Sequence, residues 1–190
     1  MEGVTKPDFA PGDYDTPEQR VGAYNDQRPW ETCMTICSQW SWKPDDKLKT
    51  LKECIDILVQ TAGGDGNLLL NVGPMPDGRI EPRQADRLKE IGAWLRANGK
   101  SIYGTRGGPF RPAPWGCSTH QGSSIYVHVL DWPENGLVLP QLDGKIDSAT
   151  LIDGTAVDFK QDQNGIRCDV PGEMQNPLDT IIVLTRANTN

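Results

Sequence analysis

The stretch that decides the fold is NLLLNVGPMPDG, residues 67–78. Its apolar run, Leu68–Leu70, shows no alternation of apolar and polar residues, which predicts a strand covered on both faces, as in a parallel sheet flanked by helices. Pro74, Pro76 and Asp77-Gly78 prevent regular continuation after it. In a barrel of alternating strands and helices, the loop after such a strand lies on the active-site side, so a site is expected here.

Upstream of this stretch, the sequence predicts a strand and a helix. A short strand is predicted from Trp30 to Ile36, and apolar residues then recur on one helical face between Leu48 and Val59. Asp45 or Asp46 is expected to cap that helix by accepting free backbone N–H bonds. Gly63-Gly64 is expected to end it.

Downstream, Pro82 is tolerated in a first helical turn, and a second amphipathic helix is predicted to run from there to Asn98-Gly99. The order strand, helix, strand, helix is typical of a parallel α/β architecture with right-handed crossovers. Two such units cannot close a barrel and would leave apolar faces open to water. Either residues 1–106 are the C-terminal portion of a (β/α)8-type catalytic barrel, the interpretation we favour, or a partner covers these faces. Residues 1–30 are expected to form loops.

A different pattern begins after a link rich in glycine and proline, residues 107–116. Asp153-Gly154 and Asn164-Gly165 favour hairpins there, because these residue types tolerate positive φ. Residues 117–190 are therefore expected to form an antiparallel β-sandwich, which makes the fold class α/β plus all-β. The predicted strands span residues 124–130, 137–139, 149–152, 157–160, 166–170 and 180–184.

Composition argues against several classes of partner. The net charge is −7 and no cluster of Lys and Arg stands out, so nucleic acid and anionic membranes are not expected, and a neutral substrate is. No run is long enough to cross a bilayer, and the first residues show neither a basic leader nor an apolar segment. Cys33 and Cys37 have no second ligand pair, and His120 and His128 lie far downstream, so no metal site is expected.

Five motifs occur in the order Asp13-Tyr14-Asp15-Thr16-Pro17-Glu18, Trp30-Glu31-Thr32-Cys33, Trp40-Ser41-Trp42, Gly66-Asn67-Leu68-Leu69-Leu70-Asn71-Val72-Gly73-Pro74 with Asp77-Gly78, and Ser101-Ile102-Tyr103-Gly104-Thr105. In order and spacing they resemble the C-terminal half of the α-L-fucosidases of glycoside hydrolase family 29. The resemblance is strong over residues 10–110 and looser over the sandwich. It implies a (β/α)8-type barrel followed by a β-sandwich, in agreement with the architecture inferred above.

The resemblance implies a retaining glycosidase that needs no cofactor. In this family an Asp attacks the anomeric carbon of fucose, while a second carboxyl group protonates the leaving oxygen and later activates water. No stretch in residues 1–30 resembles the strand that carries the nucleophile, so the nucleophile is expected upstream of this chain. Glu18 resembles the acid/base position, with Glu31 as the second candidate. A solvated loop acid is the alternative interpretation of Glu18.

Three further residues are expected near the sugar. Trp40 and Trp42 lie two residues apart, so in an extended segment both would face the same way and offer apolar surface to the C–H face of a sugar. Trp42 resembles the family's substrate-side aromatic residue, and packing between barrel and loop is the alternative for both. Asn71 is expected to hydrogen-bond loops at the end of its strand or to contact the substrate. The sequence of residues 40–44 resembles the branch that acts on α-1,3/1,4-linked fucose.

The expected function is hydrolysis of terminal α-L-fucose from a fucosylated oligosaccharide or glycoconjugate, with this chain supplying the acid/base side. Two alternatives stay open: a non-catalytic carbohydrate-binding or interaction fragment, and a barrel glycosidase that releases another sugar. The sequence leaves the oligomeric state and the compartment undecided, and a secreted or periplasmic location would fit the resemblance.

Overall fold

The computed structural model describes residues 12–187. Helix α1 spans Leu51–Gly63 and helix α2 spans Pro82–Asn98. Neither helix of this part has the length and apolar character needed to cross a membrane. The strands are β1 Glu31–Thr35, β2 Asn67–Asn71, β3 Arg106–Gly107, β4 Gly116–Gln121, β5 Ser124–Val129, β6 Leu137–Leu139, β7 Ile146–Leu151, β8 Asp158–Asp162, β9 Gly165–Asp169 and β10 Thr180–Arg186.

Strands β1 and β2 form a parallel pair, as the order of predicted elements requires. In their register, Thr32 lies opposite Leu68 and Thr35 lies opposite Asn71. Helix α1 connects the two strands and packs against β2. The carboxyl ends of both strands therefore meet at the same edge of the sheet, where the loops that follow them are brought together.

A third parallel segment, residues 15–19, lies along the other edge of β1. The Glu31 amide donates to the carbonyl of Asp15 at 2.9 Å, and the Gln19 amide donates to the carbonyl of Cys33 at 2.9 Å. Residues 12–29 contain no helix or regular strand, in agreement with the predicted loops, and residues 15–19 pair with β1 through isolated bridges. Residues 1–11 lie outside the described part. No local pattern marks the segment, because its hydrogen-bonding partner is the free edge of a strand more than ten residues away.

Helix α1 begins later than the sequence predicts. Thr50 is its N-cap: the Thr50 hydroxyl accepts from the Glu53 amide at 3.1 Å, and the Glu53 carboxylate accepts from the Thr50 amide at 2.6 Å. This reciprocal pair is a capping box. The expectation that Asp45 or Asp46 caps the helix is wrong, because the Asp46 carboxylate instead binds amides of its own loop.

Helix α2 has the predicted bounds, and it joins α1 in one apolar cluster. Ile91 and Trp94 of α2 pack with Ile55 of α1 in this cluster. Its opposite wall consists of sandwich residues, including Tyr126 and Ile181. The helices therefore lie between the parallel strands and the larger sheet of the sandwich, and they fix one against the other.

The C-terminal strands form two antiparallel sheets, with strand orders β3-β4-β5-β10-β7 and β6-β9-β8. Along β5, Ile125, Val127 and Val129 point into the core between the sheets, whereas Tyr126 points toward the helices. The antiparallel sandwich is thus present as predicted. The larger sheet is covered on both faces, by the smaller sheet and by the helices, which the sequence did not predict.

Both predicted hairpin signals are confirmed. Asn164-Gly165 lies where β8 turns into β9, and these two strands pair with each other. Asp153-Gly154 also turns the chain back on itself, because Thr150 and Ala156 form an antiparallel bridge across it. This second hairpin lies where the chain crosses from the larger sheet to the smaller one.

The predicted domain limits fall next to observed strands. Strand β3 ends at Gly107 and pairs with β4, so the larger sheet already includes the first residue of the predicted linker 107–116. Strand β4 begins at Gly116, the last residue of that linker. The division into a barrel portion, a linker and a sandwich stays a prediction.

Residues 12–187 form an α/β layer packed on a sandwich, and their three parallel segments do not close into a barrel. Leu69 on β2 is 49% exposed, so the prediction that this strand is covered on both faces is wrong for one face. The helices cover the other face. The complete (β/α)8-type barrel stays a prediction, and the uncovered side is called the open face below.

Candidate active site

The two candidate acids share the open face of the parallel sheet. Residues paired in register on parallel strands point to the same side, and the register joins Glu18 to Cys33 and Cys33 to Leu69. Glu31 lies two residues before Cys33, so its side chain also points to this side. Both carboxyl groups therefore project to the side on which Leu69 is exposed.

Glu18 and Glu31 differ in their height along the strands. Glu18 is level with Cys33, in the middle of β1, whereas Glu31 is the first residue of β1. A strand rises by about 3.3 Å per residue, so the two acids are offset by about 7 Å. Glu18 is exposed and Glu31 is half-buried. Glu18 is therefore the more accessible acid and the one nearer the carboxyl ends of the strands.

The loop that follows β1 carries both tryptophans, and we call residues 38–47 the aromatic loop. Trp40 is 36% exposed, whereas Trp42 is half-buried and its indole Nε1 is excluded from solvent. The resemblance to the family favours Trp42 as the substrate contact. The exposed fractions of the two side chains favour Trp40 instead, because Trp40 presents more of its surface to solvent than Trp42 does.

Asn71, the last residue of β2, ties the aromatic loop to the sheet. Its side-chain Nδ2 donates to the carbonyl of Trp40 at 2.9 Å and to the hydroxyl of Thr35 at 3.3 Å. Both N–H donors of the amide are thereby used within the protein. Any polar contact from this side chain to a ligand has to involve its Oδ1.

Gly73 allows the loop after β2 to touch the aromatic loop. A Cβ at this position would lie 2.5 Å from the amide nitrogen of Trp42, a distance that real side chains do not tolerate. The Gly73 amide donates to the side chain of the buried Gln84 at 3.1 Å. The two loops at the carboxyl ends of β1 and β2 are therefore in backbone contact and held by helix α2.

Asp46 is the charged centre of the aromatic loop. Its carboxylate accepts from the amides of Gln39 at 3.0 Å and Lys47 at 2.8 Å, and from the hydroxyl of Ser38. Asp46 is only 3% exposed. The Ser38 hydroxyl bond, with the backbone amides, lowers the pKa of Asp46 to about 2. Sequence reasoning missed this role, because nothing in the sequence separates Asp46 from its neighbour Asp45.

Lys49 binds backbone carbonyls at the carboxyl end of β1, next to the start of the aromatic loop. Its ammonium group donates to the carbonyls of Thr35 at 2.6 Å and Cys37 at 2.8 Å. Thr35 is the last residue of β1 and Cys37 lies two residues beyond it, so both carbonyls lie at the end of the strand. The lysine charge therefore fixes the point at which the chain leaves β1 and enters the loop.

Other reactive groups lie away from this site. Within residues 12–187, no three His, Cys, Asp or Glu side chains are grouped so that they could hold a metal ion. His128 on β5 is fully buried, and its Nδ1 lies 2.6 Å from the Asp179 carboxylate. The sequence treats it as an ordinary sheet residue, and the pairing with Asp179 only becomes visible in three dimensions.

Relatives of known function are similar to a large part of this chain. Tissue alpha-L-fucosidase of Homo sapiens is 37% identical over 131 residues, which covers 64% of this chain and 27% of the relative. Plasma alpha-L-fucosidase of Homo sapiens is 31% identical over 156 residues, which covers 75% of this chain and 33% of the relative. The chain thus spans about a quarter to a third of the length of these curated relatives.

Solved structures of similar proteins have the same arrangement of elements. Alpha-L-fucosidase isoenzyme 1 from Paenibacillus thiaminolyticus matches with a TM-score of 0.83 at 33% identity, over 93% of this chain and 46% of that chain. A family 29 alpha-L-fucosidase from Bacteroides thetaiotaomicron, a covalent intermediate trapped with 2-fluoro-fucosyl fluoride in a glutamate-to-glutamine mutant, matches with a TM-score of 0.80 at 27% identity, over 92% and 43%.

The family model for alpha-L-fucosidase matches residues 2–100, more than half of the chain. This match includes the parallel segments, both helices and the aromatic loop. It agrees with the similarity to curated relatives and to solved structures, and with the resemblance of the five motifs. The chain therefore belongs to the alpha-L-fucosidase family.

Proposed function

We propose that this chain forms the acid/base side and the aromatic wall of the catalytic site of a retaining α-L-fucosidase. The substrate would be a fucosylated oligosaccharide or glycoconjugate that carries a terminal α-L-fucose. Family membership supports the reaction class. The observation that carries the proposal is that the exposed Glu18 lies nearer than Glu31 to the carboxyl ends of the parallel strands, from which the aromatic loop follows.

Glu18 is the proposed general acid and base. A retaining mechanism needs one carboxylate to attack the anomeric carbon and a second carboxyl group to protonate the leaving oxygen. The Bacteroides relative is a trapped covalent intermediate in a glutamate-to-glutamine mutant, which supports a two-step route for that protein. In this chain the second role falls to Glu18, and the attacking carboxylate is assigned to no residue of the chain.

Glu31 stays the second candidate for the acid/base role. It projects to the same face as Glu18, but it begins β1 and is therefore about two residues farther from the carboxyl edge. From there it is better placed to orient neighbouring groups than to reach a glycosidic oxygen. Glu18 is ranked above Glu31 because it lies nearer the carboxyl ends of the strands.

Trp40 is the proposed platform for the apolar face of the sugar, with Trp42 supporting it from the half-buried side. An exposed indole ring offers a flat apolar surface to the C–H groups of a pyranose. Asn71 would contact the substrate only through Oδ1, since its Nδ2 holds the aromatic loop. A preference for α-1,3/1,4-linked fucose belongs to the same proposal and rests on the resemblance of residues 40–44.

The acid/base assignment is tested by the leaving-group dependence of two variants in the full-length protein. Glu18→Gln should reduce kcat/KM about 10²–10⁴-fold on a natural-type fucoside, because the leaving alcohol needs a proton. On an activated aryl fucoside the loss should be much smaller for the first step. Glu31→Gln is the matched control, with the same charge change on the same face, and should lose similar activity on both substrates.

Two results would decide against Glu18. Activity of Glu18→Gln close to wild type on both fucosides would exclude it as the acid. A strong leaving-group dependence in Glu31→Gln, absent from Glu18→Gln, would move the role to Glu31.

A non-catalytic carbohydrate-binding role is the second candidate. The observation that favours it is the exposed Trp40 ring beside an open sheet face with no assigned nucleophile. Tryptophan fluorescence titration with fucose and fucosylated oligosaccharides, run beside the aryl fucoside assay, separates the two functions. Saturable binding without turnover in the full-length protein would favour the binding role.

A further inference from the structure

We propose that Asp46 is a positioning residue that holds the aromatic loop in the conformation in which Trp40 meets the sugar. This inference rests on the proposed function, because it assigns a purpose to the order of a loop beside the candidate site. Asp46 itself touches no substrate in this proposal. Its effect passes through the backbone of the loop to the Trp40 ring.

The contacts of Asp46 join the two ends of the aromatic loop. At the start of the loop, its carboxylate accepts from the amides of Ser38 at 3.2 Å and Gln39 at 3.0 Å, and from the Ser38 hydroxyl. At the end of the loop it accepts from the Lys47 amide at 2.8 Å, and the Lys43 ammonium lies 3.4 Å away. One buried carboxylate thus closes the segment that contains both tryptophans.

The charge of Asp46 matters to this closure. Every one of these partners is a donor, and an ionised carboxylate accepts with both oxygens. Hydrogen bonds to an ionised acceptor are about twice as strong as those between neutral groups. An amide in the same place would turn one N–H₂ group toward backbone donors, so Asp46→Asn should open the loop while changing the side-chain volume very little.

Core packing does little to hold the Trp40 ring in place, because this side chain is 36% exposed. Holding a large aromatic ring partly in solvent costs conformational entropy that core packing does not return. The contacts of Asp46 and Asn71 with the backbone of the loop therefore act on the orientation of that ring. A preorganised aromatic surface binds a ligand without that cost at the moment of binding.

The test compares Asp46→Asn with Asp45→Asn in the full-length protein. Asp45 is the adjacent residue, is exposed, and has a φ of 54°, which Asn adopts readily, so its variant makes the same chemical change away from the contacts. Ser38→Ala is a milder third variant that removes one hydroxyl donor and leaves Asp46 ionised. The readouts are amide hydrogen exchange at Ser38, Gln39 and Lys47, fucose binding by tryptophan fluorescence, and kcat and KM on an aryl fucoside.

The expected result is faster exchange at the three amides in Asp46→Asn, with KM and the fucose dissociation constant raised about tenfold or more and kcat changed little. An increase in KM without a fall in kcat is the sign of lost ground-state and transition-state binding alike. Ser38→Ala should shift the same quantities in the same direction by less. Asp45→Asn should match the wild type in all three readouts.

Each result other than the expected one would overturn one step of the proposal. Unchanged exchange in Asp46→Asn, or exchange raised equally by Asp45→Asn, would overturn the role of Asp46 in ordering the loop. Faster exchange with unchanged fucose binding would overturn the link from the loop to the sugar. A wild-type protein that neither binds fucose nor cleaves aryl fucosides would overturn the proposed function itself, before any variant is compared. If Asp46→Asn does not fold, Ser38→Ala decides by the same criteria.

Discussion

The indole ring of Trp30 is the best place to test the packing of this fold quantitatively. Trp30 is 2% exposed, and its Nε1 donates to the carbonyl of Gly64 at 3.2 Å. Gly66 lies against the ring: a Cβ on Gly66 would be 2.5 Å from ring atom Cδ2 and closer still to two others. Gly66→Ala is therefore expected to displace the ring.

The magnitude follows from these distances. Ordinary carbon contacts are about 3.5–4.0 Å, so the ring must retreat by about 1 Å or more. Overpacking of this kind costs about 1–3 kcal/mol, and the lost Nε1 bond costs about 1 kcal/mol. The alanine returns about 0.4–1 kcal/mol by restricting the unfolded chain. The free energy of unfolding should fall by about 1–3.5 kcal/mol.

Urea unfolding monitored by tryptophan fluorescence measures this loss, with Gly172→Ala as the matched control. A Cβ on Gly172 meets nothing within 4 Å and its φ lies outside the left-handed region, so the control should be neutral or slightly stabilising. Gly66→Ala within about 0.5 kcal/mol of the wild type would refute the packing argument, since surface substitutions vary by that much. Equal destabilisation by both variants would refute it as well.

Three further predictions concern a helix, a carboxylate and the thiols. Gly92→Ala in α2 should raise the free energy of unfolding by about 0.5–1 kcal/mol, because alanine favours the helix and its Cβ would meet only the Arg96 side chain at 3.7 Å. A thermal unfolding midpoint below that of the wild type would contradict this. Because the pKa of Asp46 is lowered from 3.8 to about 2, its ionised carboxylate stabilises the aromatic loop above pH 3.8, and this stabilisation should be lost as the pH falls toward about 2. Tryptophan fluorescence should therefore change between about pH 4 and 2 in the wild type but not in Asp46→Asn. Burial raises the pKa of the Cys168 thiol to about 12 and also raises the pKa of the Cys117 thiol. Iodoacetamide at about pH 8 should therefore modify the half-buried Cys33 first. Mass spectrometry that finds Cys117 or Cys168 modified before Cys33 would contradict this prediction.

Local patterns were enough to predict the helices and most strands. Helix α2 starts at Pro82 because that ring fits a first turn. The chain turns between Asp162 and Gly165, and Gly165 begins β9 with a φ of 126°, which glycine adopts without strain. These signals depend only on neighbours in the sequence. The start of α1 was missed because Asp45, Asp46 and Thr50 are all good caps. The capping box of Thr50 with Glu53 was the local signal that could have decided between them.

The roles of the candidate site residues stay a prediction, while the structure shows where these residues lie. The resemblance and the residue types picked out Glu18, Glu31, Trp40, Trp42 and Asn71, and the structure brings all five to the parallel strands or the loop that follows them. Their relative positions were not predictable. The offset between the two acids and the different exposure of the two tryptophans depend on strand register and loop closure, which no short pattern encodes.

The sequence by itself determined both helices and most of the strands, the change from an α/β pattern to an antiparallel one near residue 107, and the family of the chain. These follow from periodicity, turn residues and motif order, all of which act over a few neighbouring positions. The tertiary structure alone decided that residues 15–19 pair with β1, that Asp46 and not Asp45 closes the aromatic loop, and that one face of the parallel sheet is left open. Each of these depends on a hydrogen-bond partner or a covering surface that lies far away in the sequence, and only folding brings it within reach.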